Sequence, residues 1–157
     1  MRVVIAVVAL LGFVFPAQAM DLNSYRAKNG RPPLRVDFSL AGLASGHAAD
    51  LARRGALDHA GFLQQRARFG ANAENVSYGC ADEACVILQW AGSAGHRANM
   101  LRKDVTSYGL ASAVSASGRR YWVMELGGAA PVVRTLRSRK RVYMEQATSP
   151  RGKASPE

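Results

Sequence analysis

The chain has 157 residues, 48% of them hydrophobic and 20% charged, and a formal net charge of +10. That length predicts one domain with at most a short extension, and so high a hydrophobic fraction excludes wholesale disorder. The charge is uneven, with seven basic and two acidic residues from Val132 to the end against thirteen and nine over residues 20–131. A mildly basic body with a basic tail is not the profile of a nucleic-acid-binding fold, so no specific nucleic-acid partner is expected.

In chain order, Arg2 and the apolar run Val3–Phe15 precede Ala17-Gln18-Ala19, a small-x-small sequence of the kind signal peptidases read. Residues 1–19 therefore read as a signal peptide. The rival, an uncleaved anchor, needs roughly 20 apolar residues to cross a bilayer. The expected location is secreted or periplasmic, not transmembrane after cleavage.

A first helix is predicted over Leu22–Lys28, closed by Asn29-Gly30 and barred from continuing by Pro32-Pro33. Asp37 is a good N-cap for a second, whose buried face is Leu40, Leu43, Ala44, His47, Ala48 and Leu51, with Gly55 at its end. Gly61–Phe69 reads as a third, shorter helix and Ala73–Tyr78 as extended. A helix burying Val86, Ile87 and Trp90 follows, then a helical turn over Gly95–Leu101. The pattern next switches to period two. Tyr108–Ser115 and Tyr121–Leu126 are predicted as a hairpin about Ala116-Ser117-Gly118-Arg119. Helices followed by an antiparallel pair indicate an α+β domain over 20–131. Residues 132–157, with Arg137-Ser138-Arg139-Lys140-Arg141, read as a basic, disordered tail.

The two cysteines, Cys80 and Cys85, lie in CADEAC. An even count in an exported chain favours a disulfide, and the alternative is a two-thiolate metal site. His47 falls on the apolar face of the second helix and reads as a core histidine satisfied by a backbone carbonyl. His59, Glu74 and His96 each fall in or beside a loop. Two imidazoles and a carboxylate suit a metal site or an acid–base cluster, although spacing alone does not bring them together. The chain has no H-E-x-x-H, no G-x-S-x-G and no G-x₄-G-K. Asn75-Val76-Ser77 is formally a glycosylation sequon.

The ordered strings NSYRAKNGRPPL, AGLASGHAADLARRG, LDHAGF, AENVSYG, WAGSAGHRANML and YWVMELG resemble the CAP superfamily (SCP-like; cysteine-rich secretory, antigen 5 and pathogenesis-related proteins), in its short bacterial branch. The resemblance covers about residues 22–128. It implies an α-β-α sandwich, a small antiparallel sheet between helices, with a central cleft lined by histidines and acidic residues. Residue by residue, His59 and His96 match the two cavity histidines and Glu74 the glutamate of a G-E-N motif that reads A-E-N here. The resemblance further implies zinc or another divalent metal held by His59 and His96. Ser93 stands where eukaryotic members place a second glutamate, and Glu125 or Glu83 are the candidates to replace it. Arg97 is a candidate to pin its helical turn through a carboxylate such as Glu74.

No serine or cysteine nucleophile accompanies these residues. The leading expectation is thus an exported binding module for a small lipid, glycan or protein ligand. One alternative is a metal-assisted peptidase or envelope hydrolase with Glu74 as general base. The other is an envelope-adhesion protein whose tail contacts anionic surfaces nonspecifically.

Overall fold

The computed structural model describes residues 20–128. The expected signal peptide (1–19) and basic tail (132–157) lie outside the described residues.

The first helix, α1 (Leu22–Lys28), is capped by Asp21, whose carboxylate accepts from the Ser24 amide at 2.6 Å. Its Arg26 is fully buried. The guanidinium donates to the carbonyls of Pro32 (2.9 Å), Met100 (2.6 Å) and Arg102 (3.1 Å), so a position in this helix holds the distant 100–102 segment. Asn23 is clasped to Leu34 in both directions, at 3.0 and 2.8 Å. Such bonds allow a charged and a polar side chain to sit where apolar ones normally would.

A two-residue strand, β1 (Arg35–Val36), follows. The long helix α2 (Phe38–Arg54) starts where Asp37 accepts from the amides of Ser39 and Leu40. It ends at Gly55, whose φ of 66° suits the left-handed cap. Leu40, Ala44, His47, Ala48 and Leu51 are buried as the periodicity predicts, but Leu43 is half-exposed and borders an open pocket.

The 61–69 segment is not a third α-helix. Gly61 has φ 75°, and only Arg66–Phe69 forms a 3-10 turn. The helical reading fails because Leu63 and Phe69 are each 71% exposed while Arg66 is buried. An ion pair, not an apolar stripe, anchors the segment.

Beyond it lie β2 (Ala71–Tyr78), α3 (Glu83–Ala91), α4 (Ala94–Met100), β3 (Ser107–Val114) and β4 (Arg120–Gly127). The sheet order is β1-β3-β4-β2. The predicted hairpin is present as the antiparallel pair β3–β4, and β2 joins β4 antiparallel. The sheet is mixed, because β1 pairs parallel with β3. Two residues carry no alternation for a sequence to display.

Alternation along β4 divides the core. Tyr121 and Val123 pack with Val76 against Ala44, Ala48 and Leu51 of α2. Trp122, Met124 and Leu126 face Leu22, Val86, Ile87, Trp90 and Met100, from α1, α3 and α4. The result is an α+β, α-β-α sandwich. Gly109 lets α2 sit close on β3: a Cβ there would lie 2.1 Å from the Ala41 amide nitrogen. Cys80 and Cys85 form the expected disulfide, with Cα atoms 5.5 Å apart, leading into α3. Trp90 and Trp122 are buried and donate to the carbonyls of Val76 (3.2 Å) and Cys80 (2.9 Å).

Candidate functional site

β2 is an edge strand, and its period-two alternation sends neighbouring side chains to opposite faces. Glu74 points to the α2 face and Asn75 to the α3–α4 face. Elements from both helical layers therefore meet at this edge.

On the α2 face, Glu74 lies almost fully buried opposite Glu125 of β4 in the strand register. Arg66 reaches between them. Its Nε is 2.5 Å from Glu74 Oε2 and 2.9 Å from Glu125 Oε1, close ion-pair contacts without hydrogen-bond alignment. Its Nη2 donates to Glu74 Oε1 at 3.0 Å and its Nη1 to the Ala60 carbonyl at 3.0 Å. His59 closes the group from outside, with Nδ1 2.6 Å from Glu74 Oε1 and 53% of its side chain exposed. His47 is the core histidine expected, its Nε2 3.0 Å from the Asp58 carbonyl. It also approaches Glu74 Oε1 at 3.8 Å.

The two carboxyl groups are driven apart in acidity. Burial opposes ionisation of Glu74, but contacts with Glu125, Arg66 and His59 outweigh it and hold its pKa below the ordinary value. For Glu125, burial and then the adjacent Glu74 push the pKa up to about 10. Both Glu125 oxygens lack hydrogen-bond partners, and an orphaned buried carboxyl is far cheaper neutral than charged. The cluster thus holds one carboxylate, one guanidinium and one carboxylic acid. The ionised Glu74 only accepts, which makes His59 Nδ1 the donor of this contact.

On the other face, α4 is fastened to the edge strand. Asn99 donates to the Glu74 carbonyl (3.1 Å) and to Asn75 Oδ1 (2.9 Å), and Asn75 Nδ2 donates to the His96 carbonyl (3.0 Å). The G-H-R-A-N run therefore places His96 at the edge, with its ring centroid 6.4 Å from that of Trp90. Burial and then the nearby His59 lower the His96 pKa. Glu74 and His59 are in direct contact, whereas the His96 side chain shares no hydrogen bond or ion pair with either among the described residues.

Other expectations change. Arg97 donates to the Ala91 carbonyl (2.9 Å) and is not the partner of Glu74; Arg66 is. Glu83 starts α3, where burial raises its pKa, and is not in the cluster, whereas Glu125 is. Asn75 is fully buried and hydrogen-bonded, so the sequon is not presented by the folded domain. Arg66 carried no sequence signal beyond its type. A buried carboxylate at Glu74 required a cation that only the tertiary structure identifies.

Zinc sites take three or four protein ligands. Among the described residues no three His, Cys, Asp or Glu side chains are grouped to hold a metal ion. Arg66 already supplies the positive charge between the two glutamates. The two imidazoles of the expected metal contact, His59 and His96, are therefore not joined by a third such side chain.

The Cysteine-rich secretory protein family (CAP) model matches residues 21–126. The chain belongs to this family, in agreement with the motif order and the sandwich. A 103-residue stretch is 31% identical to the uncharacterized membrane protein YlbC of Bacillus subtilis, covering 59% of this chain and 30% of that protein. The chain thus matches less than a third of that relative's length.

Similar solved structures include an outer surface protein of Borrelia burgdorferi (TM-score 0.57, 19% identity, 68% of this chain and 85% of that one). Another is an extracellular SCP-domain protein of Bacillus anthracis (0.52, 22%, 68% and 37%). A third is a cysteine-rich secretory protein of Staphylococcus aureus (0.50, 21%, 68% and 35%). At these identities the likeness concerns the fold. No helix among the described residues is long and apolar enough to cross a membrane.

Proposed function

We propose that this CAP domain is an exported binding module whose cleft, at the edge of β2, receives a small lipid, glycan or protein ligand between His59 and His96. The observation that carries this reading is how the Glu74 charge is used. Both of its oxygens are engaged, by Arg66 and by His59. Glu74 therefore orients an imidazole instead of facing a reacting atom. A carboxylate held below its ordinary pKa is a weak base. That weighs against the metal-assisted hydrolase with Glu74 as general base. His59 Nε2 and the His96 ring are the polar groups offered to a ligand.

The test is an NMR titration of the full chain with a fatty acid, an oligosaccharide and a peptide, observing the imidazole resonances. At least one class is expected to shift both His59 and His96, and the His59→Ala/His96→Ala variant is expected to lose that binding. Binding that the double variant retains, or no response of either ring to any class, would overturn the reading. A zinc titration in the same format reads the expected metal contact; a two-imidazole ion would be held weakly.

A further inference from the structure

A pocket that shares His47 and Arg66 with the Glu74 cluster opens between α2 and the 60–69 segment, with a volume of about 610 Å³. Small-molecule sites span roughly 300–1,000 Å³. Its floor is one face of α2, where Gly42, Gly46 and Asp50 recur at helical spacing. Glycine inside a helix costs about 1 kcal/mol relative to alanine. Here packing does not require it, because a Cβ at Gly42 or Gly46 would meet nothing within 4 Å. The two glycines keep open a trough that any side chain would fill.

The charged groups around the trough are already neutralised. Asp50 is bound by Arg53 (2.6 Å) and Arg54 (2.7 Å), and Arg66 by the Glu74 carboxylate. Neither an anion nor a cation finds an unpaired counter-charge. Uncharged hydrogen-bonding capacity, in contrast, is available. The Gln65 carboxamide enters none of the side-chain hydrogen bonds among the described residues. His47 lines the pocket with its side chain 3% exposed, uses Nε2 for the Asp58 carbonyl, and shows no hydrogen bond at Nδ1 among the described residues. At the rim, Phe69 offers a ring that is 71% exposed.

An aromatic surface above neutral donors and acceptors suits a compact ligand with one apolar face and many hydroxyl or amide groups. We infer that this pocket binds one or two units of a neutral saccharide, stacked on Phe69 and hydrogen-bonded by Gln65 and His47. An acyl chain would instead desolvate Gln65 and His47 without replacing their hydrogen bonds. The inference is tested apart from the cleft reading, since neither His59 nor His96 is among the residues that line the pocket.

The test is ¹H–¹⁵N NMR of the full chain titrated with N,N′,N″-triacetylchitotriose, with palmitate and a neutral tripeptide in parallel. Saturable shifts are expected at the amides of Gly42, Gly46, Gln65 and Phe69. Phe69→Ala and Gly46→Leu are each expected to weaken binding at least tenfold. Gly46→Leu improves helix propensity while filling the trough, so its melting temperature should hold. If it fails to fold, Phe69→Ala decides. The inference is overturned by absent or non-saturable shifts, by shifts that neither variant weakens, or by palmitate or the tripeptide occupying the pocket while the saccharide does not. Saccharide shifts confined to the His59 and His96 rings would likewise overturn it, while supporting the cleft.

Discussion

Replacing Glu125 by glutamine removes the buried acid while keeping its shape and exchanging its O–H donor for an N–H donor. An unfolded glutamate ionises near pH 4.3, whereas Glu125 in the fold does so at about pH 10. A folded pKa raised in this way gives a contribution that is complete below the unfolded value and is lost as pH rises toward the folded one. Between pH 6 and 8 the unfolded chain has released this proton and the native state has kept it. Stability then falls by at most about 1.4 kcal/mol per pH unit, or about 2.7 kcal/mol over the window. Glu74 has the opposite sign: its contribution is present above the unfolded value and lost as pH drops below it. It does not cancel the Glu125 slope between pH 6 and 8. Urea unfolding of both proteins at pH 6, 7 and 8 provides the assay. The stability of Glu125→Gln relative to the natural chain should increase steadily with pH, approaching that figure. Parallel profiles would show that Glu125 is ionised in the fold and would refute the charge assignment.

Arg66→Met leaves an ionised Glu74 buried without its cation, and should lower the unfolding free energy by about 3–5 kcal/mol in urea; a change below about 1 kcal/mol would contradict the ion-pair geometry. Reducing the Cys80–Cys85 bridge, which closes only a short loop, should cost about 2 kcal/mol in the loop-entropy picture. Thermal melts with and without reductant read this, and complete unfolding at room temperature would contradict it. Gly109→Ala forces a methyl group against the α2 backbone and should destabilise by at least about 1–3 kcal/mol; a neutral effect in urea would mean that α2 does not sit so close on β3.

The sequence displayed most of the architecture because its signals are local. Asp37 and Gly55 bracket α2, apolar residues at helical spacing mark its buried face, and period-two alternation around Gly118 marks the hairpin. What escaped was non-local or too short. β1 has two residues, and nothing near them in sequence reveals pairing with Ser107 and Tyr108. The 61–69 segment has enough apolar residues to suggest a helix, yet its fixed point is Arg66, drawn inward by Glu74 and Glu125. Those glutamates become neighbours only through the β2–β4 register. His59, Glu74 and His96 came together in the sequence reading through family resemblance, not through spacing. The structure supplies the mechanics: a carboxylate touching His59 on one face of the edge strand, and an asparagine pair fixing α4, with His96, on the other.

The central claim is that His59 and His96, from opposite helical layers, look onto one cleft. The most direct measurement is an NMR pH titration of the His96 imidazole in the natural chain and in His59→Ala. Burial and the His59 charge are expected to hold the His96 midpoint below its ordinary value, and removing His59 should raise it. A His96 midpoint that does not move when His59 is removed would contradict the shared cleft.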